Sequence, residues 1–163
     1  MRITSRIVFA FVFVACAALI ALALYLQEHD GLEPCPMCIL QRYAFILIGL
    51  VALAGAIHGP KGLALKVYGA LVVLLSVAGG GVAMRHSWLQ HFPPKVETCG
   101  ADLDFLMGNF PLSQALPKVF AGTGSCSTVD WTLIGFSIPE WAILWFAAFA
   151  ALAAWMAFFR RPQ

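Results

Sequence analysis

Polar residues interrupt this chain at few places, and the apolar runs between them set the architecture. Residues 7–26 carry no charge over twenty positions. Residues 43–57 are short for a membrane span, but Ile39 and Leu40 extend the run outward past Arg42, giving 39–57. Residues 67–84 and 141–159 form two further runs. Each approaches the ~20 residues that a hydrocarbon core requires of a helix. The pattern predicts four transmembrane helices in one integral membrane domain over residues 1–163. The first run follows Arg2 and Arg6, as a signal peptide would, but it is longer than the usual h-region and three spans come after it. It reads as an uncleaved first helix.

The breaks are equally informative. Gln27 to Glu33 is polar, with Gly31 as a turn residue. His58-Gly59-Pro60-Lys61-Gly62 is short and rich in helix breakers, so spans two and three are antiparallel neighbours. Ser87 to Ser137 is the longest segment between spans, and Pro93-Pro94 ends any helix there. Its apolar positions, Leu103, Phe105, Leu106, Met107, Phe110, Leu112 and Leu116, predict a loop lying partly on the membrane surface. Ser137-Ile138-Pro139-Glu140 has the form of a capping box with proline in the first turn, opening span four. Gly79-Gly80-Gly81 allows close helix approach.

Composition agrees. The chain is 61% hydrophobic and 11% charged, with a mean hydropathy of +0.86. A soluble domain of this length could not bury that much apolar surface. A net charge of +2 gives no electrostatic footprint for nucleic acid. The placement of charge is what matters. Arg2, Arg6, Lys61, Lys66, Arg160 and Arg161 fall on one side of a four-span topology, which marks that side and both termini as cytoplasmic. Every acidic residue falls on the other side, with Arg42, Arg85, Lys95 and Lys118.

Four of the five cysteines, Cys35, Cys38, Cys99 and Cys126, lie on that outer side, and paired thiols in an oxidising compartment read as disulfides. Cys16, midway along span one, reads as a small apolar filler. Three readings compete for Cys35-Pro36-Met37-Cys38: a static disulfide, part of a metal site, or a redox pair. A disulfide across two residues closes almost no loop and adds little stability through the unfolded chain. A metal would need further ligands from Cys99, Cys126, His29, His86 or His91, which lack ligand spacing. Redox use explains the pair best. Cys99 and Cys126, bonded to each other, would contribute roughly 3–4 kcal/mol as a structural cross-link, yet their flexible, polar flanks suit a reactive exchange partner.

Pro34 and Pro36 place the start of helix two near Cys38, where a helix N-terminus stabilises a thiolate. Arg42, four residues on, shares that helix face. It reads either as a snorkelling interfacial charge or, set against the charge bias and beside the thiols, as a functional group. His86 emerges at the outer end of span three and on its own is simply polar, and His29 and His91 read as loop residues. A dithiol that is oxidised must lose two electrons. The chain has no haem-attachment motif and no dinucleotide fingerprint. A lipid-dissolved quinone is the acceptor at that depth, and Arg42 is placed to hydrogen-bond its oxygen.

With Cys35-Pro36-Met37-Cys38 followed by Arg42, then Arg85-His86-Ser87-Trp88-Leu89-Gln90, Cys99, Cys126, Lys118-Val119-Phe120 and Gly135-Phe136-Ser137-Ile138-Pro139-Glu140-Trp141, nearly the whole chain resembles the disulfide bond formation protein B (DsbB) family. The resemblance implies an all-α membrane protein, a four-transmembrane-helix bundle with two periplasmic loops, the second long and partly membrane-associated, in the bacterial inner membrane. It implies a quinone-dependent protein-disulfide oxidoreductase that reoxidises a DsbA-like periplasmic thiol oxidase. By that analogy the partner attacks Cys99–Cys126, Cys35–Cys38 reoxidises that pair, and Cys38 passes electrons to ubiquinone or menaquinone at a site including Arg42 and His86. Two departures stand out: many family members carry Glu where this chain has Gln41, and some carry Met where it has Ile138. The competing reading from the residues is a membrane metal-binding protein with the cysteine pairs as ligands.

Overall fold

The computed structural model describes residues 5–31, 34–93, 126, 129 and 131–159. Four helices dominate: α1 Ser5–Asp30, α2 Pro36–His58, α3 Gly62–His91 and α4 Ile138–Ala154, the last continuing as a π-helical turn over Trp155–Phe159. All four are long and apolar enough to cross a membrane. The chain is a multi-pass membrane protein.

Local chemistry sets the ends. Cys35 is the N-cap of α2, extended at φ −65° and ψ 160°, and Pro36 occupies the first turn, where its missing N–H costs nothing. Gly59, at φ 60°, closes α2 in the left-handed conformation that glycine tolerates best, and its N–H bonds the Gly55 carbonyl at 2.9 Å. At the start of α4 the Glu140 carboxylate accepts the Ser137 N–H at 2.7 Å, as the capping motif predicts.

The helices run further outward than hydropathy indicates. α1 continues past Tyr25 to Asp30, so Gln27 is helical, and His29 stacks on Tyr25 with ring centroids 5.3 Å apart. α3 continues to His91. His29 and His91 are therefore helical, not loop residues. Hydropathy marks where lipid contact ends, whereas backbone hydrogen bonding carries a helix on into the headgroup layer. Just before α4, β1 Thr132–Leu133 and β2 Phe136–Ser137 pair antiparallel across Ile134 and Gly135, at φ 56° and 82°. Strands of two residues are too short to show an alternating pattern, and the sequence reading did not anticipate this hairpin. The apolar stretch after Cys99 lies outside the described residues, as does Cys99 itself.

The core is built from large apolar side chains inside the bundle, among them Phe9, Ile48, Val72, Phe146, Phe149 and Met156, while Phe11, Leu50, Leu74 and Leu144 face outward, as lipid allows. Phe45 of α2 stacks on Phe146 of α4 with centroids 4.1 Å apart. Gly79 makes that approach possible: a Cβ there would stand 2.6 Å from the Phe146 ring and 2.9 Å from Ala44. Gly81, two residues on, faces open space. α1 packs on α2, α2 on α3 and α3 on α4. α1 and α4 barely touch, and residues of both line the cavity at the site.

Candidate functional site

The thiols meet at the outer end of α2. The Cys35 and Cys38 sulfurs are 3.2 Å apart, and both are thiols. The Cys38 N–H donates to Cys35 Sγ at 3.4 Å, so the helix N-terminus bears directly on that sulfur. Cys35 is buried with Met37, Leu89 and Cys126, while Cys38 is half-buried beside them. Cys126 thus sits against the Cys35–Cys38 pair although 88 residues separate Cys126 from Cys38.

His86 enters from α3. Hydropathy puts it at the outer interface, but α3 outlasts its apolar run, so His86 is turned into the bundle and only 3% exposed. Its Nε2 lies 3.6 Å from Cys35 Sγ, and its Nδ1 lies 3.1 Å from Gln41 Nε2. The Cys126 backbone also hydrogen-bonds the imidazole. Gln41, 4% exposed, is the residue noted above only as a departure from the family pattern. Here it fixes the far side of the histidine ring. Which nitrogen carries the proton depends on which end of the amide faces the ring.

Arg42 lies one turn beyond Cys38, as its spacing predicts, and reaches across to α1. It donates to Gln27 Oε1 at 2.6 Å and to the Ala23 carbonyl at 3.2 Å. Gln27 became visible as a partner only once α1 was seen to continue past the interfacial tyrosine.

These groups line one cavity of about 360 Å³. Its walls come from all four helices and the hairpin. The polar contribution is made by Cys35, Cys38, Gln41, Arg42, His86 and Gln90, and the rest is apolar or aromatic, including Phe45, Trp131 and Trp145. That size and this mix of a few converging polar groups in an apolar lining suit a small hydrophobic ligand. The structure therefore brings together Cys35, Cys38, Arg42 and His86, with Cys126 packed behind the thiols. Cys99 lies outside the described residues. Cys16 is buried in the core against Gly49, away from the thiols, consistent with a filler. Among the described residues Cys35, Cys38 and His86 could also hold a metal ion, their donor atoms all lying within 4.8 Å of one another.

Residues 5–156 match the family model described as "Disulfide bond formation protein DsbB". Curated relatives agree. The chain is 51% identical over 158 residues to "Disulfide bond formation protein B" of Azoarcus sp. (strain BH72), covering 97% of this chain and 95% of that protein. It is 48% identical over 153 residues to the protein of that name from Aromatoleum aromaticum, with 94% and 92% covered. For that of Saccharophagus degradans it is 46% over 155 residues, with 94% and 91% covered.

Proposed function

Because the chain belongs to the disulfide bond formation protein B family and is a disulfide oxidoreductase of the membrane, we propose that it reoxidises a DsbA-like periplasmic thiol oxidase and delivers the electrons to a membrane quinone. The observation that carries this reading is the opening of the Cys35–Cys38 dithiol onto an apolar cavity walled by α1 and α4. A soluble protein substrate does not need such a cavity, whereas a lipid-borne oxidant does.

In this reading Cys99 and Cys126 form the disulfide that meets the partner. The partner's thiolate attacks Cys99, Cys126 leaves, and the partner departs as its own disulfide. The dithiol left at Cys99 and Cys126 is reoxidised by exchange with the Cys35–Cys38 disulfide, and the burial of Cys126 against Cys35 supports that hand-over. Cys35 and Cys38 then close again into a disulfide, releasing two electrons and two protons. A bound ubiquinone or menaquinone supplies the two-electron, two-proton acceptor. Cys35 and Cys38 both border the cavity, and Cys38, the less buried, would be the sulfur that faces the acceptor, with the Arg42 guanidinium available for its oxygen. His86, against Cys35, is placed to hold a proton during the closure and reaches the same cavity wall. The lysine and arginine distribution supports both termini on the cytoplasmic side and the cysteine segments on the other, and membership of the family supports a bacterial inner membrane, with the cysteine segments periplasmic, in a single membrane domain.

The test is purified protein with a reduced DsbA-like oxidase and quinone, followed by quinone absorbance. Stoichiometric quinone loss that stops when Cys38 is changed to Ser is the expected result. Oxidation of the partner without quinone loss would refute the proposal.

A further inference from the structure

Cys35, Cys38 and His86 are joined by a geometry that disulfide exchange alone does not require. Their three donor atoms lie within 4.8 Å of one another, with sulfur to sulfur at 3.2 Å and sulfur to Nε2 at 3.6 Å. A tetrahedral zinc ion, with bonds of about 2.3 Å to sulfur and 2.0–2.1 Å to nitrogen, sets its ligands about 3.8 Å apart for sulfur pairs and about 3.5 Å for sulfur and nitrogen. The Cys35-to-nitrogen distance already fits, and the sulfur pair would have to open by about 0.6 Å to hold the ion. We propose that the dithiol form of this protein binds one zinc-class ion through Cys35, Cys38 and His86, and that the ion holds the pair out of its redox cycle.

Three further observations support the site. The first is the group behind the histidine. Gln41 is buried and meets His86 Nδ1 at 3.1 Å. With Nε2 on a metal, Nδ1 must carry the proton; the Gln41 amide, whose nitrogen now faces the ring, then turns its oxygen to accept it, and the Cys126 backbone bond to the ring shares that proton or is given up. Metal-bound histidines characteristically have such a partner on the other nitrogen. The second is charge. Two thiolates, one neutral imidazole and a divalent cation sum to zero, so the loaded site places no net charge in a buried, low-dielectric pocket. Arg42, the nearby cation, is already engaged with Gln27 and the Ala23 carbonyl. The third is placement: all three ligand residues border one shared cavity, so their donor atoms face a common space.

The step is an exchange of protons for metal. Two thiols and one Zn²⁺ give a bis-thiolate complex and two released protons, with no change of oxidation state. A thiolate pair held by zinc cannot form a disulfide until the ion leaves. The proposal rests on the dithiol and His86 alone and holds whichever oxidant serves the enzyme.

The test uses the full chain in detergent or nanodiscs, reduced and kept anaerobic. It is titrated with Zn²⁺ against a chromophoric chelator, and separately with Co²⁺ as a spectroscopic probe. The expected result is one ion per chain, protection of Cys35 and Cys38 from alkylation, and thiolate-to-cobalt charge-transfer bands. Gln41→Leu should weaken zinc binding by about 10–100-fold, the usual effect of losing a partner behind a ligand histidine. Cys35→Ser should abolish stoichiometric binding. Because His86→Ala empties a buried position, His86→Cys is the informative companion: it keeps a donor in place and should retain the ion with stronger charge-transfer absorption. Absence of stoichiometric binding by reduced protein overturns the proposal, as does binding indifferent to Cys35→Ser, or equal binding by protein with Cys35 and Cys38 oxidised.

Discussion

Replacing Arg42 with alanine tests whether the guanidinium serves the ligand or only the helices. It makes two contacts with α1, to Gln27 at 2.6 Å and to the Ala23 carbonyl at 3.2 Å. Five N–H groups are available to a guanidinium, so these contacts leave donors that can face the cavity it lines. A hydrogen bond from a charged donor contributes about 1.5–3 kcal/mol net. Arg42 is only half-buried, so the lower part of that range applies. About 1.5–2 kcal/mol corresponds to a rise in quinone KM of roughly 10–30-fold for Arg42→Ala. Disulfide exchange between the cysteine pairs should be nearly unchanged. Lysine at the position should restore only part of the loss, because a point charge lacks the planar donor array. Gln27→Leu separates the two roles. It cuts one tie to α1 but leaves the guanidinium in place, and should shift the KM by less than about threefold, or about 0.6 kcal/mol. The assay is steady-state quinone reduction in nanodiscs at saturating reduced partner. An unchanged KM in Arg42→Ala, or a Gln27→Leu defect equal to it, would show that Arg42 acts only as a clamp between α1 and α2.

His86→Ala should impair quinone reduction more mildly than Arg42→Ala, read in the same assay; a wild-type rate would remove His86 from the reaction. Impermeant thiol reagents applied to reduced whole cells permeabilised only at the outer membrane should label Cys99, and labelling that requires breach of the inner membrane would reverse the topology. Cys126→Ser should accumulate a mixed disulfide with the DsbA-like partner through Cys99, seen on non-reducing gels, and a complex that persists in a Cys99→Ser background would reassign the attacked sulfur. Gly79→Ala should destabilise the bundle by about 1–3 kcal/mol through collision with Phe146 and Ala44, whereas Gly81→Ala should be neutral or stabilising by up to about 1 kcal/mol; equal thermal stability of the two variants would contradict the packing described.

Much of this was readable from one sequence because the bilayer enforces simple rules. Apolar length gives the helices, and the four-residue interval from Cys38 to Arg42 gives their shared face without any tertiary knowledge. Pairings across helices are a different matter. Cys35 and His86 are 51 positions apart, and Gln41 and His86 are 45 apart. Their meeting depends on the rotation and depth of α3 relative to α2, which hydropathy leaves open. Gln41 shows this best: in the sequence it stands only as a departure from a family motif, with an effect on quinone preference or rate, and in three dimensions its amide lies 3.1 Å from the histidine ring. Gln27 was hidden by a different cause, the assumption that a helix stops where its apolar run stops. The hairpin before α4 was hidden by its brevity, and Ile134, β-branched at φ 56° and 82% exposed, is a residue no turn preference would place there.

If the proposed quinone enters between α1 and α4, whose contact is slight, that route has a kinetic consequence. A site reached sideways from the bilayer samples its ligand as a two-dimensional solute, so what governs occupancy is the ligand's mole fraction among the lipids, not its molarity in the surrounding buffer. Diluting vesicles with water should leave the rate per enzyme untouched, while diluting the same quinone with additional phospholipid should slow it. Detergent micelles, by thinning that local reservoir, should inflate any KM expressed per litre. On the proposed chemistry, membrane composition itself would then control how fast the dithiol is emptied of electrons.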